Sequence, residues 1–188
     1  MNKKIEDLIV ELSTDPFNPD INFRCAVEYN NLNQTASAVS FYLRAAEYGY
    51  GTHKTITYNS LLKIARCFDD QKDRVWNVSN YILHAVAYDP DRPEAYFMMS
   101  QFHERKSDWL EAYTWAEMGL SKNDFDLLPA DIGYYGKYCL EFEKAVSGWW
   151  IGKVEESKYI FNKLNRLYIK DEYKNAIKNN LEMLNANV

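Results

Sequence analysis

The sequence predicts an all-α fold, in which antiparallel helix pairs stack as a repeat array closed by a C-terminal capping helix. Three observations carry that expectation. Apolar residues recur at spacings of three and four, as in Ile5, Leu8, Ile9 and Leu12, or Leu61, Leu62, Ile64, Ala65 and Phe68, the period of a helix with one buried face. No segment shows sustained apolar–polar alternation bounded by turn residues, so no strands are expected. Small residues repeat at fixed offsets: steps of twelve and seven separate Ala26, Ala38 and Ala45, and the same steps separate Ser100, Ala112 and Gly119. Small side chains let two helices approach closely, and a recurrent offset implies a repeated helix pair.

Helices are expected near residues 3–13, 19–31, 36–48, 56–70, 75–88, 93–105, 109–120, 134–150, 154–167 and 171–185. The first is amphipathic and carries Glu6, Asp7 and Glu11 inside its apolar run, which a secretory leader would not. The second and third hold the first small-residue set and stop at Gly49, where glycine makes a left-handed cap or tight turn cheap. The fourth ends in Asp69, Asp70 and Asp73, expected as solvated charges. The fifth stops before Pro90, and Pro93 with Glu94 opens the sixth. Asp108, three residues before Glu111, resembles a capping box for the seventh, which closes at Gly119; Gly152 separates the eighth and ninth. The tenth places Tyr173, Ile177, Leu181 and Leu184 at helical spacing, as a helix covering the last apolar face would. The helix at 3–13 is expected to cap the other end, which would close the array.

Composition narrows the function. A chain of 188 residues with 47% apolar and 15% aromatic content is long enough for one domain with a continuous core and too apolar for a disordered tail. Against 27 acidic residues stand 22 basic ones, with no basic cluster, so nucleic-acid binding is not expected. Nothing approaches a membrane-spanning length. Cys25, Cys67 and Cys139 are far apart and lack metal-site spacing, which reads as buried thiols of a cytoplasmic protein. His53, His84 and His103 have no ligand-spaced partner, and no phosphate-cradling glycine loop or nucleophile elbow occurs. Glu141 with Glu143, or Glu155 with Glu156, stand too close along a helix to face one substrate as an acid–base pair. No catalytic residue, metal site or cofactor is expected.

With these offsets the chain resembles a tetratricopeptide repeat (TPR) protein, whose helix–turn–helix unit of about 34 residues carries small residues at such positions and often ends in proline. The resemblance places units near 19–50, 56–90, 93–124 and 134–167, a capping helix at 171–185, and one superhelical domain over 1–188. Pro90 sits at the closing position of unit two. That unit has Arg66, Val78 and Ala85 at the small-residue places, and the fourth, degenerate unit has Ala145, Ser157 and Leu164. Units one and two are forty residues apart, so a short insertion is expected around Tyr50–Thr57. His103 falls where such a helix carries a core tyrosine.

The resemblance also implies a binding groove lined by the first helix of each pair. Its positions are Phe23, Val27 and Asn30; Lys63, Cys67 and Asp70; Phe97, Gln101 and Glu104; and Phe142, Val146 and Trp149. The carboxylate clamp of chaperone-binding members is not expected, because Phe23, Val27 and Ile64 hold its places. A groove of this kind suits an amphipathic helix or an extended segment with large side chains, or else the rings are simply core. Trp149 and Trp150 lie about 100° apart on a helix, so one of them should pack beyond its own unit. From Tyr88 onward, "DPDRPEAYFMMSQFHERKSDWLEAYTWAEMGL" and "YCLEFEKAVSGWWIGKVEES" also resemble the helical region attached to some family-two-like glycosyltransferases. That implies association with glycan-building enzymes rather than catalysis, since the chain lacks the strands of a nucleotide-sugar domain. Asp124-Phe125-Asp126 matches those enzymes' Asp-x-Asp signature but reads as a solvated loop. The expected function is a protein- or peptide-binding module, with a glycosyltransferase as partner or, alternatively, a general peptide adaptor or scaffold; an independent sugar-modifying enzyme is the less favoured reading.

Overall fold

The computed structural model describes residues 3–72, 74–123 and 126–186. Among these there are ten helices and no strand: α1 (Lys3–Thr14), α2 (Pro19–Asn31), α3 (Thr35–Gly49), α4 (Lys54–Asp69), α5 (Val75–Tyr88), α6 (Glu94–Glu104), α7 (Trp109–Leu120), α8 (Lys137–Trp150), α9 (Val154–Asn165) and α10 (Asp171–Ala186). The helix boundaries depart from the sequence reading by at most three residues. The helix α4 begins at Lys54, absorbing part of the expected insertion, and α8 begins only at Lys137, after Gly136 with φ +125°. The chain forms two compact units, Met1–Pro90 with Asp126–Ile132, and Asp91–Phe125 with Gly133–Val188.

In the first unit Asn18 caps α2, its side chain accepting from the Ile21 amide at 3.1 Å, and Pro19 occupies the first turn where its missing N–H costs nothing. Ala26, Ala38 and Ala45 are all fully enclosed, as their repeat positions require. Leu8 of α1 joins Ile21 and Cys25 in a cluster flanked by Leu12 and Phe41, so α1 covers the start of the unit. Arg66 does not take a small residue's place in the core. The enclosed alanine of α4 is Ala65, one position earlier, while the Arg66 guanidinium reaches out to the Ile132 carbonyl at 2.8 Å.

The second unit shows the same logic. Ser100 and Ala112 are enclosed, and Ser100 Oγ donates to the Ala112 carbonyl at 2.8 Å, which ties α6 to α7. Ile177 and Leu184 of α10 join Ala145, Phe161 and Leu164 in one cluster, so α10 covers α9 as a cap. Arg92 and Glu94, beside the joint at Pro93, are both buried and paired, Arg92 Nε donating to Glu94 Oε2 at 3.1 Å. These two charges are therefore compensated by each other inside the fold. Trp149 packs into the α8–α10 cluster, whereas Trp150 stacks on Trp109 of α7, centroids 5.0 Å apart and planes at 15°.

Two local expectations are corrected. Gly49 and Gly119 are not left-handed caps: each closes its helix from within, and a Cβ at Gly119 would lie 2.8 Å from Leu140 Cδ2 and 2.9 Å from Tyr96 Cβ. Close approach is what demands glycine there, and only Gly152 of the three adopts a left-handed φ, +84°. The Asp108 carboxylate does not cap the α7 amides; it turns to His103 Nδ1 at 3.4 Å and Lys106 Nζ at 3.5 Å.

Candidate functional site

The residues expected to line a groove have different fates. Phe23 and Phe97 are core: Phe23 packs edge-on to Tyr42 at 5.7 Å, and Phe97 is fully enclosed, its ring 5.4 Å from that of Tyr134. Neither ring presents a surface to a partner. Val27, Asn30 and Lys63 are half-buried, Cys67 is buried with its thiol donating to Asn30 Oδ1 at 3.4 Å, and Asp70 is exposed. Burial pushes the Cys67 thiol up to about 11, against the pull of Lys63, so it is no nucleophile.

Gln101 and Glu104 meet Glu143 of α8. Gln101 Nε2 donates to Glu143 Oε1 at 3.1 Å, whereas Glu143 Oε2 is buried without a hydrogen-bond partner among the described residues. Glu143 is only 4% exposed. Burial first, then the adjacent Glu104, hold its carboxyl well above the usual carboxylate range. Glu141 points elsewhere, to Lys163 at 2.6 Å. Among the described residues no group of three His, Cys, Asp or Glu side chains gathers as metal ligands. Asp124 and Asp73 lie outside the described residues.

Phe142 is wedged edge-on between Phe161 (5.9 Å) and Tyr173 (5.1 Å). One turn on, Val146 and Trp149 line an apolar pocket of about 210 Å³, together with Trp150, Phe161, Asn180, Met183 and Leu184. Its rim is apolar and open to solvent: Trp150 is 59% exposed and Met183 57%. Elsewhere on α8, Lys144 bridges Glu117 (3.1 Å) and Glu156 (2.9 Å), Glu156 also accepts from Tyr113 Oη (2.9 Å), and Lys153 covers the Tyr113 ring. Burial would raise the Glu156 carboxyl, but the bonds from Lys144 and Tyr113 outweigh it and hold it below its usual value.

Sequence reasoning missed a further feature in the first unit. Residues 126–132 lie on α4, where Asn59 Nδ2 donates to the Ala130 carbonyl (3.0 Å) and Asn59 Oδ1 accepts from the Ala130 amide (2.8 Å). Lys63 Nζ donates to the Asp131 carbonyl at 3.2 Å, and Arg66 holds that of Ile132. Along Leu128-Pro-Ala-Asp-Ile, Leu128, Ala130 and Ile132 turn inward while Pro129 and Asp131 are exposed. That two-residue alternation, with a proline barring helix, was the available signal.

No protein-family model matches the sequence, and no curated protein does. Solved structures do match. Pseudomonas aeruginosa pilF superimposes with a TM-score of 0.68 at 10% identity, over 93% of this chain and 72% of that one. The fold is tetratricopeptide-like. A TPR protein from Parabacteroides merdae gives 0.69 at 16% identity, over 97% and 66%, and a thermophilic TPR protein of Thermus thermophilus gives 0.61 at 12% identity, over 97% and 89%. At such identities the likeness concerns the TPR-like fold alone. None of the described helices of this TPR-like chain is long and apolar enough to cross a membrane.

Proposed function

We propose that the chain is a non-catalytic helical-repeat interaction module that holds a protein partner through the pocket between α8 and α10. The observation that carries this is the pocket's exposed apolar rim. Large apolar side chains left in solvent beside a concavity mark contact sites, where a few aromatic anchors supply most of the binding energy. The pocket takes one or two large side chains from an amphipathic helix or an extended segment. In this reading the chain acts as one repeat domain in the cytoplasm. A glycan-building enzyme as the partner rests on the resemblance of residues 88–157 alone.

Trp150→Glu with Met183→Glu tests the proposal, because both side chains are at the rim rather than in the core. The double variant gives up the Trp150 stack on Trp109, so it should melt a few degrees lower yet keep wild-type helicity at about 25 °C, and it should lose partners that the wild-type chain retains from native lysate. Unchanged capture would overturn the pocket as the contact. A glycosyltransferase among the lost partners would support the finer reading, and its absence from them would sink it.

A further inference from the structure

The α7–α8 connection spans residues 121–136, whereas α2 and α3 are joined by residues 32–34 and α3 and α4 by 50–53. Connections this long within a compact fold are commonly functional. Its middle, residues 126–132, is seated on α4 by hydrogen bonds to main-chain groups: both polar groups of Ala130 to Asn59, then the Asp131 and Ile132 carbonyls to Lys63 and Arg66. Asn59, Lys63 and Arg66 stand at i, i+4 and i+7, on one stripe of the helix. Donors advance about 1.5 Å per residue along a helix and carbonyls about 3.3 Å along an extended chain, and the long Lys and Arg arms take up the mismatch. A face that binds backbone is indifferent to most side chains; here it asks for an inward small residue at Ala130 and an inward aliphatic one at Ile132, both buried, with the half-buried Leu128 on the same side. The outward residues Asp126 and Asp131 are acidic, beside a face that carries a lysine and an arginine. Gly133, with φ +83°, turns the chain away directly afterward.

We propose that the Asn59–Lys63–Arg66 face of α4 recognises the main chain of an extended peptide, and that residues 126–132 are an internal pseudo-ligand which a partner segment displaces. The partner segment is extended, small and aliphatic on its inward side, and acidic on its outward side. This inference stands apart from the pocket between α8 and α10 and does not need it.

The probe is a fluorescein-labelled peptide with the sequence of residues 126–134, DLLPADIGY, added to the full chain. Ala130→Glu with Ile132→Ser puts a charge and a hydroxyl where the internal segment is buried, and so vacates the face. Fluorescence anisotropy should show at least tenfold tighter binding to this variant than to wild type. Adding Asn59→Leu should abolish the gain, and so should N-methylation of the peptide at the alanine amide, whereas replacing the peptide's second aspartate by asparagine should leave most of it. Equal binding to both chains, or none to either, with helicity retained overturns the proposal. Hydrogen exchange on the wild-type chain decides independently of how the variant folds. The Ala130 amide should exchange at least tenfold faster than the Leu62 and Ile64 amides of α4, and equal protection would mean that segment and helix open only together.

Discussion

Replacing Glu143 by glutamine should stabilise the protein at neutral pH. The native carboxyl is buried, accepts one bond from Gln101 and faces Glu104, so its folded-state pKa lies above the ordinary value of 4.5. The folded chain therefore holds a proton that the unfolded chain gives up. The stability this group contributes is fully present below 4.5 and is lost as pH rises through the raised native value. Across that window one proton separates the two states, which is a slope of about 1.4 kcal/mol per pH unit. Glutamine keeps the acceptor for Gln101 and offers Glu104 an amide donor, with no charge to bury. Relief of a buried, poorly partnered polar group is of order 1–3 kcal/mol, or roughly 2–10 °C in melting temperature for a chain of this size. Thermal and urea unfolding followed by circular dichroism at pH 5 and pH 7.5 reads both the gain and the slope. A Glu143→Gln chain that is less stable at pH 7.5, or that keeps the wild-type pH dependence, would refute the raised Glu143 carboxyl.

Other outcomes follow from the packing. Phe97→Ala should cost about 3–5 kcal/mol in denaturant unfolding, since the ring is fully enclosed. Gly119→Ala gains about 1 kcal/mol of helix propensity but overpacks Leu140 and Tyr96 by about 1–3 kcal/mol, so the melting temperature should fall by a few degrees. Cys25, Cys67 and Cys139, all buried with burial raising each thiol's pKa, should resist a thiol reagent at pH 8 in the native state and react fully in guanidinium. Glu156→Gln should remove part of the acid sensitivity, because a depressed carboxylate contributes stability above its unfolded value and loses it as pH falls through the native one.

The sequence by itself determined the helices, their order and their pairing. Period and small-residue offset are local statements, and Ala26, Ala38, Ala45, Ala112 and Ala145 are enclosed as the offset requires. It also determined that α10 would present Ile177 and Leu184 to the preceding helix, since a stripe at helical spacing has only one face to bury. Tertiary structure alone decided what lies against each stripe. Register said that Phe97 and Gln101 of α6 and Trp149 of α8 hold equivalent groove positions, but whether those positions meet solvent depends on residues far away in sequence. Tyr134 packs on Phe97, Glu143 bonds Gln101, and only Trp149 is left lining an open pocket. Arg66 looked like a misfit in its repeat because its partner, the Ile132 carbonyl, lies 66 residues on. Such pairings depend on how the chain returns in space, which neither period nor propensity encodes, so the backbone-binding face of α4 became visible only once the fold had brought residues 126–132 to it.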